Sequence, residues 1–267
     1  MSTLGTVTRL RLAELLRRPR TLVGVVVLPP VVVELYGTAL ASFPQLPALA
    51  AAPAAAGRTA GALFAVAFLA GLVGLFQLLS ARRGDERAAV AGLPRHTTLA
   101  SRLVTVLAIA VCGATVAFAA LAFRVTVAAP ALAFASLVAA GLLYGLLGVL
   151  VGTVVPRELE GSVVLVFLAD IDNALSSGLF PVDFAVSLPV AGELQVTDLA
   201  PLAHPQALFT AAVFDGTYAG GHLVPTLAWI GLSTAAALLA YGRSTGGTFG
   251  VAGAVVDRVT GVVGWSA

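Results

Sequence analysis

The sequence predicts an all-α integral membrane protein of six spanning helices, and three observations predict it. Hydrophobic residues make up 59% of the 267-residue chain and charged residues 10%, with a mean hydropathy of +1.00, whereas soluble domains carry roughly 25% charged residues. The apolar residues fall into runs long enough to span, because a helix rising about 1.5 Å per residue needs about 20 residues to cross a hydrocarbon core about 30 Å thick. All fifteen basic residues are arginines, and they cluster between those runs.

Six runs qualify: residues 21–40, 59–79, 103–123, 131–155, 161–180 and 223–241. Each is read as a helix, since an open sheet facing lipid leaves backbone groups unpaired. The first run is taken as an uncleaved span rather than a secretory signal, because Glu34 interrupts it and five more runs follow. Pro29 and Pro30 remove two helical donors there, which predicts a kink. The third run holds the single cysteine, Cys112, which has no partner for an internal disulfide. In the fourth, Gly141, Gly145, Gly148 and Gly152 recur every three or four positions, the spacing that lets helices approach closely.

Arginine placement orients the spans. One side holds thirteen: Arg9, Arg11, Arg17, Arg18, Arg20, Arg82, Arg83, Arg87, Arg95, Arg102, Arg157, Arg243 and Arg258. The other holds Arg58 and Arg124 alone. The alternation keeps its parity over six spans and predicts a multi-pass plasma-membrane protein with both termini in the cytoplasm. The absence of lysine beside abundant alanine, glycine, valine and arginine suits a GC-rich prokaryotic genome.

Residues 1–20 form the first of three regions. Leu4, Val7, Leu12, Leu15 and Leu16 lie near helical spacing among arginines, which suits a cytoplasmic interfacial helix ended by Pro19; a basic tail that only sets orientation is the other reading. Residues 21–243 are the six-span domain. Residues 244–267 are a glycine-rich cytoplasmic tail in which Val251, Val255, Val259 and Val262 recur at helical steps.

Three connections hold the polar residues. Between the second and third spans lie Arg82, Arg83, Asp85, Glu86, Arg87 and Arg95, with a short helix-capable stretch at Ala88 to Ala91 ended by Gly92 and Pro94. A protruding handle for a soluble partner and a solvated loop both fit these residues. In the fifth run, Asp170, Asn173 and Ser177 share one helical stripe while Asp172 and Ser176 share another. Either these residues lie at membrane depth, facing a bundle interior or subunit interface, or the span ends near Ala169 and they begin an outer loop. The arginine-free stretch 181–222 faces outward, with short helices expected within residues 199–214 after Pro201 and Pro205. His204 and His222 there lack a metal-ligand spacing, so no metal site is expected. With no lysine, the chain has no ordinary Walker loop and no ATPase site of its own; it is not read as an enzyme.

Taken in order, these features resemble the membrane-spanning subunit of type 2 ABC exporters, the ABC-2 permease family. The likeness covers roughly residues 1–243. It rests on the basic lead-in, on Arg83, Asp85, Glu86 and Arg87 followed by Leu93, Pro94 and Ser101 to Leu103, on Ser177 to Pro181, and on Leu199 to Leu202 with His204 and Pro205. The resemblance implies an exporter permease that pairs with a second copy or paralogue in the lipid bilayer and binds a separate ABC ATPase. ATP and Mg would enter through that ATPase, with Arg82, Arg83, Asp85, Glu86, Arg87 and Arg95 as its docking surface. It further implies that Glu34, Asp170, Asn173 and Ser177 border the translocation path or the dimer interface. No nucleic acid is expected as a partner. Other classes stand beside it: an ion-coupled transporter using Glu34 or Asp170, though two similar halves are not evident, a membrane-embedded enzyme, or an accessory membrane protein.

Overall fold

The computed structural model describes residues 5–6, 8–10, 13, 17, 19–43, 52–90, 95–177, 185–188 and 192–244. Seven helices organise them: α1 (Pro19–Ala41), α2 (Pro53–Val90), α3 (Arg95–Ala122), α4 (Pro130–Val154), α5 (Glu158–Ser176), α6 (Ala203–Thr210) and α7 (Leu223–Ser244). Between α5 and α6 the chain adds a small antiparallel hairpin, β1 (Ala185–Leu188) with β2 (Gly192–Gln195), which pairs Ala185 with Gln195 and Leu188 with Gly192. Ahead of α1 the backbone is helical at residues 5–6 and 8–10; Leu4, Val7, Leu12, Leu15 and Leu16 lie outside the described residues, as does the tail beyond Ser244.

Among the described residues, five helices are long and apolar enough to cross a membrane: α1, α2, α3, α4 and α7, over Leu22–Ala41, Pro53–Ser80, Thr97–Ala122, Pro130–Val154 and Gly220–Tyr241. The chain is therefore a helical, multi-pass membrane protein. Helix α5 is 19 residues long and carries Glu158 and Glu160 in its first turn, with Asp170 and Asp172 further on.

The bundle is built around α2, which packs against α1, α3, α4 and α5. Its closest partner is α4, and glycine makes that closeness possible. A Cβ on Gly148 of α4 would strike the Gly71 carbonyl of α2, and a Cβ on Gly74 of α2 would strike the Gly145 carbonyl of α4. The glycine spacing read from α4 thus marks a backbone-to-backbone seam, and the facing glycines of α2 complete it.

The core has two ends. At one, Leu78, Leu99, Val106, Val149, Ala237 and Tyr241 bring α2, α3, α4 and α7 together. At the other, Val33, Leu63, Leu121, Leu137 and Tyr144 of the bundle meet Leu202, Phe209, Ala212 and Val213. Those last four belong to a cap formed by α6 and the wide π turn that follows it, Ala211–Asp215, which ends at Gly216 with φ of 65°. Backbone bonds from Ala128 to the Val213 carbonyl (3.0 Å) and from Ala129 to the Ala212 carbonyl (2.8 Å) seat the cap on the entry to α4.

Two boundaries differ most from the sequence reading. Helix α2 does not stop at the membrane edge before a short separate helix; it continues through Arg82 and Arg87 to Val90. The only breaker in that stretch is Gly84, and a single glycine costs a helix about 1 kcal/mol, too little to end one so well anchored. Helix α3 starts at Arg95 rather than near residue 103, directly after Pro94, and Thr97, Thr98, Leu99, Ser101 and Arg102 are buried. Helix α1 runs unbroken through Pro29 and Pro30.

Candidate functional site

Polar side chains gather at the capped end of the bundle in three linked places. On α1, Glu34 accepts from Arg58 Nη2 at 3.3 Å and from Arg124 Nε at 2.7 Å. These are the two arginines assigned to the minority side of the charge distribution, and one carboxylate gathers both. The group ties together the late part of α1, the start of α2 and the residues just after α3. All three side chains keep contact with solvent, so each pair stabilises modestly, on the order of 1 kcal/mol or less.

Deeper in, Asp172 of α5 is 3% exposed. Its carboxylate accepts the Leu202 backbone N–H on both oxygens at 3.1 Å each, the Ser176 hydroxyl at 3.2 Å and the Tyr144 hydroxyl. Tyr144 comes from the middle of α4 and Leu202 from the lead into α6, so one buried acid joins α4, α5 and the cap. A buried carboxylate persists where donors replace its lost hydration, and here three kinds of donor do so.

Next along α5, Asn173 is also 3% exposed. Its amide donates to the Tyr36 hydroxyl of α1 at 3.5 Å. Tyr36 in turn stacks on Phe64, and Phe64 on Phe68, with ring centroids 5.6 and 5.7 Å apart. The Asn173 carbonyl oxygen is buried with no hydrogen-bond partner among the described residues.

The residues expected to border a translocation path or a dimer interface occupy different surroundings. Asn173 faces inward, whereas Asp170 is exposed, beside exposed Phe167 and Ile171. Ser177 is half-buried and donates to the Ala174 carbonyl of its own turn at 3.4 Å. Glu34 lies two positions from Tyr36 but is engaged by arginines. The Asp172–Ser176 stripe read from helical spacing is a hydrogen bond. Tyr144 and the Leu202 amide were missed, because partners 28 and 30 residues away leave no periodic trace.

At the opposite end, Arg102 is fully buried and donates to the Gln77 carbonyl of α2. Further along, Arg82, Arg83, Asp85, Glu86 and Arg87 occupy the last turns of α2, and Arg95 opens α3; the side chains of these six lie outside the described residues. No protein-family model and no curated protein matches the chain.

Proposed function

We propose that the chain is the permease subunit of an ATP-driven exporter of the type 2 ABC class, with α5 as a sixth crossing and both termini in the cytoplasm. The observation that carries this reading is the continuity of α2. A helix that forms the bundle's centre extends without interruption into the charged stretch from Arg82 to Arg87. A soluble partner gripping that extension holds a lever, since a rigid helix transmits displacement along its length and the glycine seam passes it to α4.

A sixth crossing is supported by the contacts of α5. Near its start, Gly161 lies against Leu75, whereas Asp172 and Asn173 near its end reach Tyr144, Leu202 and Tyr36 at the capped end. Composition alone disfavours such a span, but the acid that would cost most is the one surrounded by donors. Acidic Glu158 and Glu160 belong to the end that also holds Arg157, which bonds Glu160 at 2.6 Å.

In this reading ATP and Mg are bound by a separate ATPase, which docks through Arg82, Arg83, Asp85, Glu86, Arg87 and Arg95. Nucleotide-driven closure of the ATPases moves the lever and shifts α2 and α4 against α5. A second copy or paralogue shares the membrane. Exposed Val23, Val27, Val31 and Leu35 of α1 and Phe167 and Ile171 of α5 supply the apolar surface for that partner and for lipid. The exposed carboxylate of Asp170 sits on this face.

The test is recovery of partners on the tagged full-length chain, extracted in mild detergent from cells that express it natively. The wild type is expected to retain an ATP-hydrolysing protein. Changing Arg83, Asp85, Glu86 and Arg87 together to alanine is expected to lower its recovery at least tenfold. Absence of nucleotide hydrolysis from the wild-type eluate, or equal recovery on both chains, would overturn the proposal.

A further inference from the structure

The two histidines of the capped end, unremarkable in sequence, are brought together by the fold. His204 lies in the first turn of α6, and His222 closes the 3-10 turn Gly220–His222 that leads into α7. Their Nδ1 atoms are 3.1 Å apart and their ring centroids 5.4 Å apart. Both rings are half-buried and reachable from solvent.

The other ring nitrogen of His204 decides what the pair can do. Nε2 lies 3.1 Å from the Asp198 backbone carbonyl. A carbonyl only accepts, so Nε2 carries the proton and Nδ1 presents its lone pair toward His222. Metal-ligating histidines are oriented in this way, with the far N–H held by a carbonyl or carboxylate.

We propose that His204 and His222 form a two-histidine site for a zinc-class divalent cation, which staples the cap helix α6 to the start of α7. Two nitrogens bound at about 2.0–2.1 Å in tetrahedral geometry sit about 3.3 Å apart, close to the separation already present. When the cation enters, the His222 proton moves from Nδ1 to Nε2 by exchange with water, a change of tautomer that frees the Nδ1 lone pair with no net proton released. Each Nδ1 then donates a lone pair to the cation. No group of three or more His, Cys, Asp or Glu forms among the described residues, so water completes the shell. Such a site binds reversibly, and its cation sits where α6, itself seated on α4 and joined to Asp172 through Leu202, meets α7.

The experiment uses the full-length protein carrying a tag without histidines, stripped with EDTA and dialysed against Zn2+ at pH 7.5. One Zn2+ per chain is expected, with affinity reduced at least tenfold in both His204→Gln and His222→Gln. Melting temperature supplies a second readout: Zn2+ is expected to raise it by several degrees in the wild type and to leave both variants unmoved. Binding of no stoichiometric Zn2+ by the wild type, or equal binding and equal thermal shift in the variants, would reduce the pair to a hydrogen bond and overturn the proposal.

Discussion

Gly148→Leu is expected to abolish recovery of folded, monodisperse protein. The added side chain has no rotamer that avoids the clash, because its Cβ already falls on the Gly71 carbonyl of α2. A flexible neighbour gives way at little cost, but a helix backbone in the middle of a bundle does not. Overpacking a core costs typically 1–3 kcal/mol even where side chains can shift; here the whole α2–α4 seam must separate, so a loss above about 3 kcal/mol is expected. Gly231→Leu is the matched control. That glycine lies on the exposed face of α7 with nothing within 4 Å, and the same added volume meets only lipid or detergent. Size-exclusion profiles and melting temperatures of the two variants make the comparison; equal behaviour would dissolve the claim that the seam is a backbone contact.

Asp172→Ala is the second large effect, about 3 kcal/mol of destabilisation, since hydrogen bonds to a charged group are worth about 1.5–3 kcal/mol and their buried donors would be stranded. The Tyr144 hydroxyl and the Leu202 amide both lose their acceptor. Tyr144→Phe removes one donor and keeps the others, so it is expected to cost about 1–2 kcal/mol. The two variants also differ in kind. Losing Asp172 detaches the cap from α5, which predicts faster proteolysis within residues 181–222 as well as a lower melting temperature. Losing the Tyr144 hydroxyl weakens the α4–α5 contact and leaves the Leu202 bonds in place. A cap equally resistant in Asp172→Ala and wild type would show that the carboxylate does not hold it.

Much of this fold was legible because the bilayer imposes a length and a charge rule that single residues report directly. Five of the six expected runs are helices long and apolar enough to cross. Arg58 and Arg124, separated from the other thirteen by parity alone, meet at one carboxylate. The fifth run differs because its polar residues are paired across the fold: Asp172 reads as a liability until Tyr144, Ser176 and the Leu202 amide surround it. Charge places Arg102 only on one side of the membrane; its burial was not legible, because it follows from the early start of α3, which sets it against the Gln77 carbonyl. Partners far apart in sequence, Tyr144 with Asp172 and His204 with His222, leave no local pattern. Only the fold brings them within bonding distance.

If the last turns of α2 are the proposed grip of an ATP-hydrolysing partner, site-directed crosslinking in native membranes captures that partner there. In a Cys112→Ala background, single cysteines are placed by Arg87→Cys on the extension and by Ser42→Cys at the opposite end of the bundle. A covalent adduct is expected between the Arg87→Cys chain and a nucleotide-hydrolysing protein, and none from Ser42→Cys. An adduct formed from Ser42→Cys, or no adduct from Arg87→Cys, would contradict the proposal.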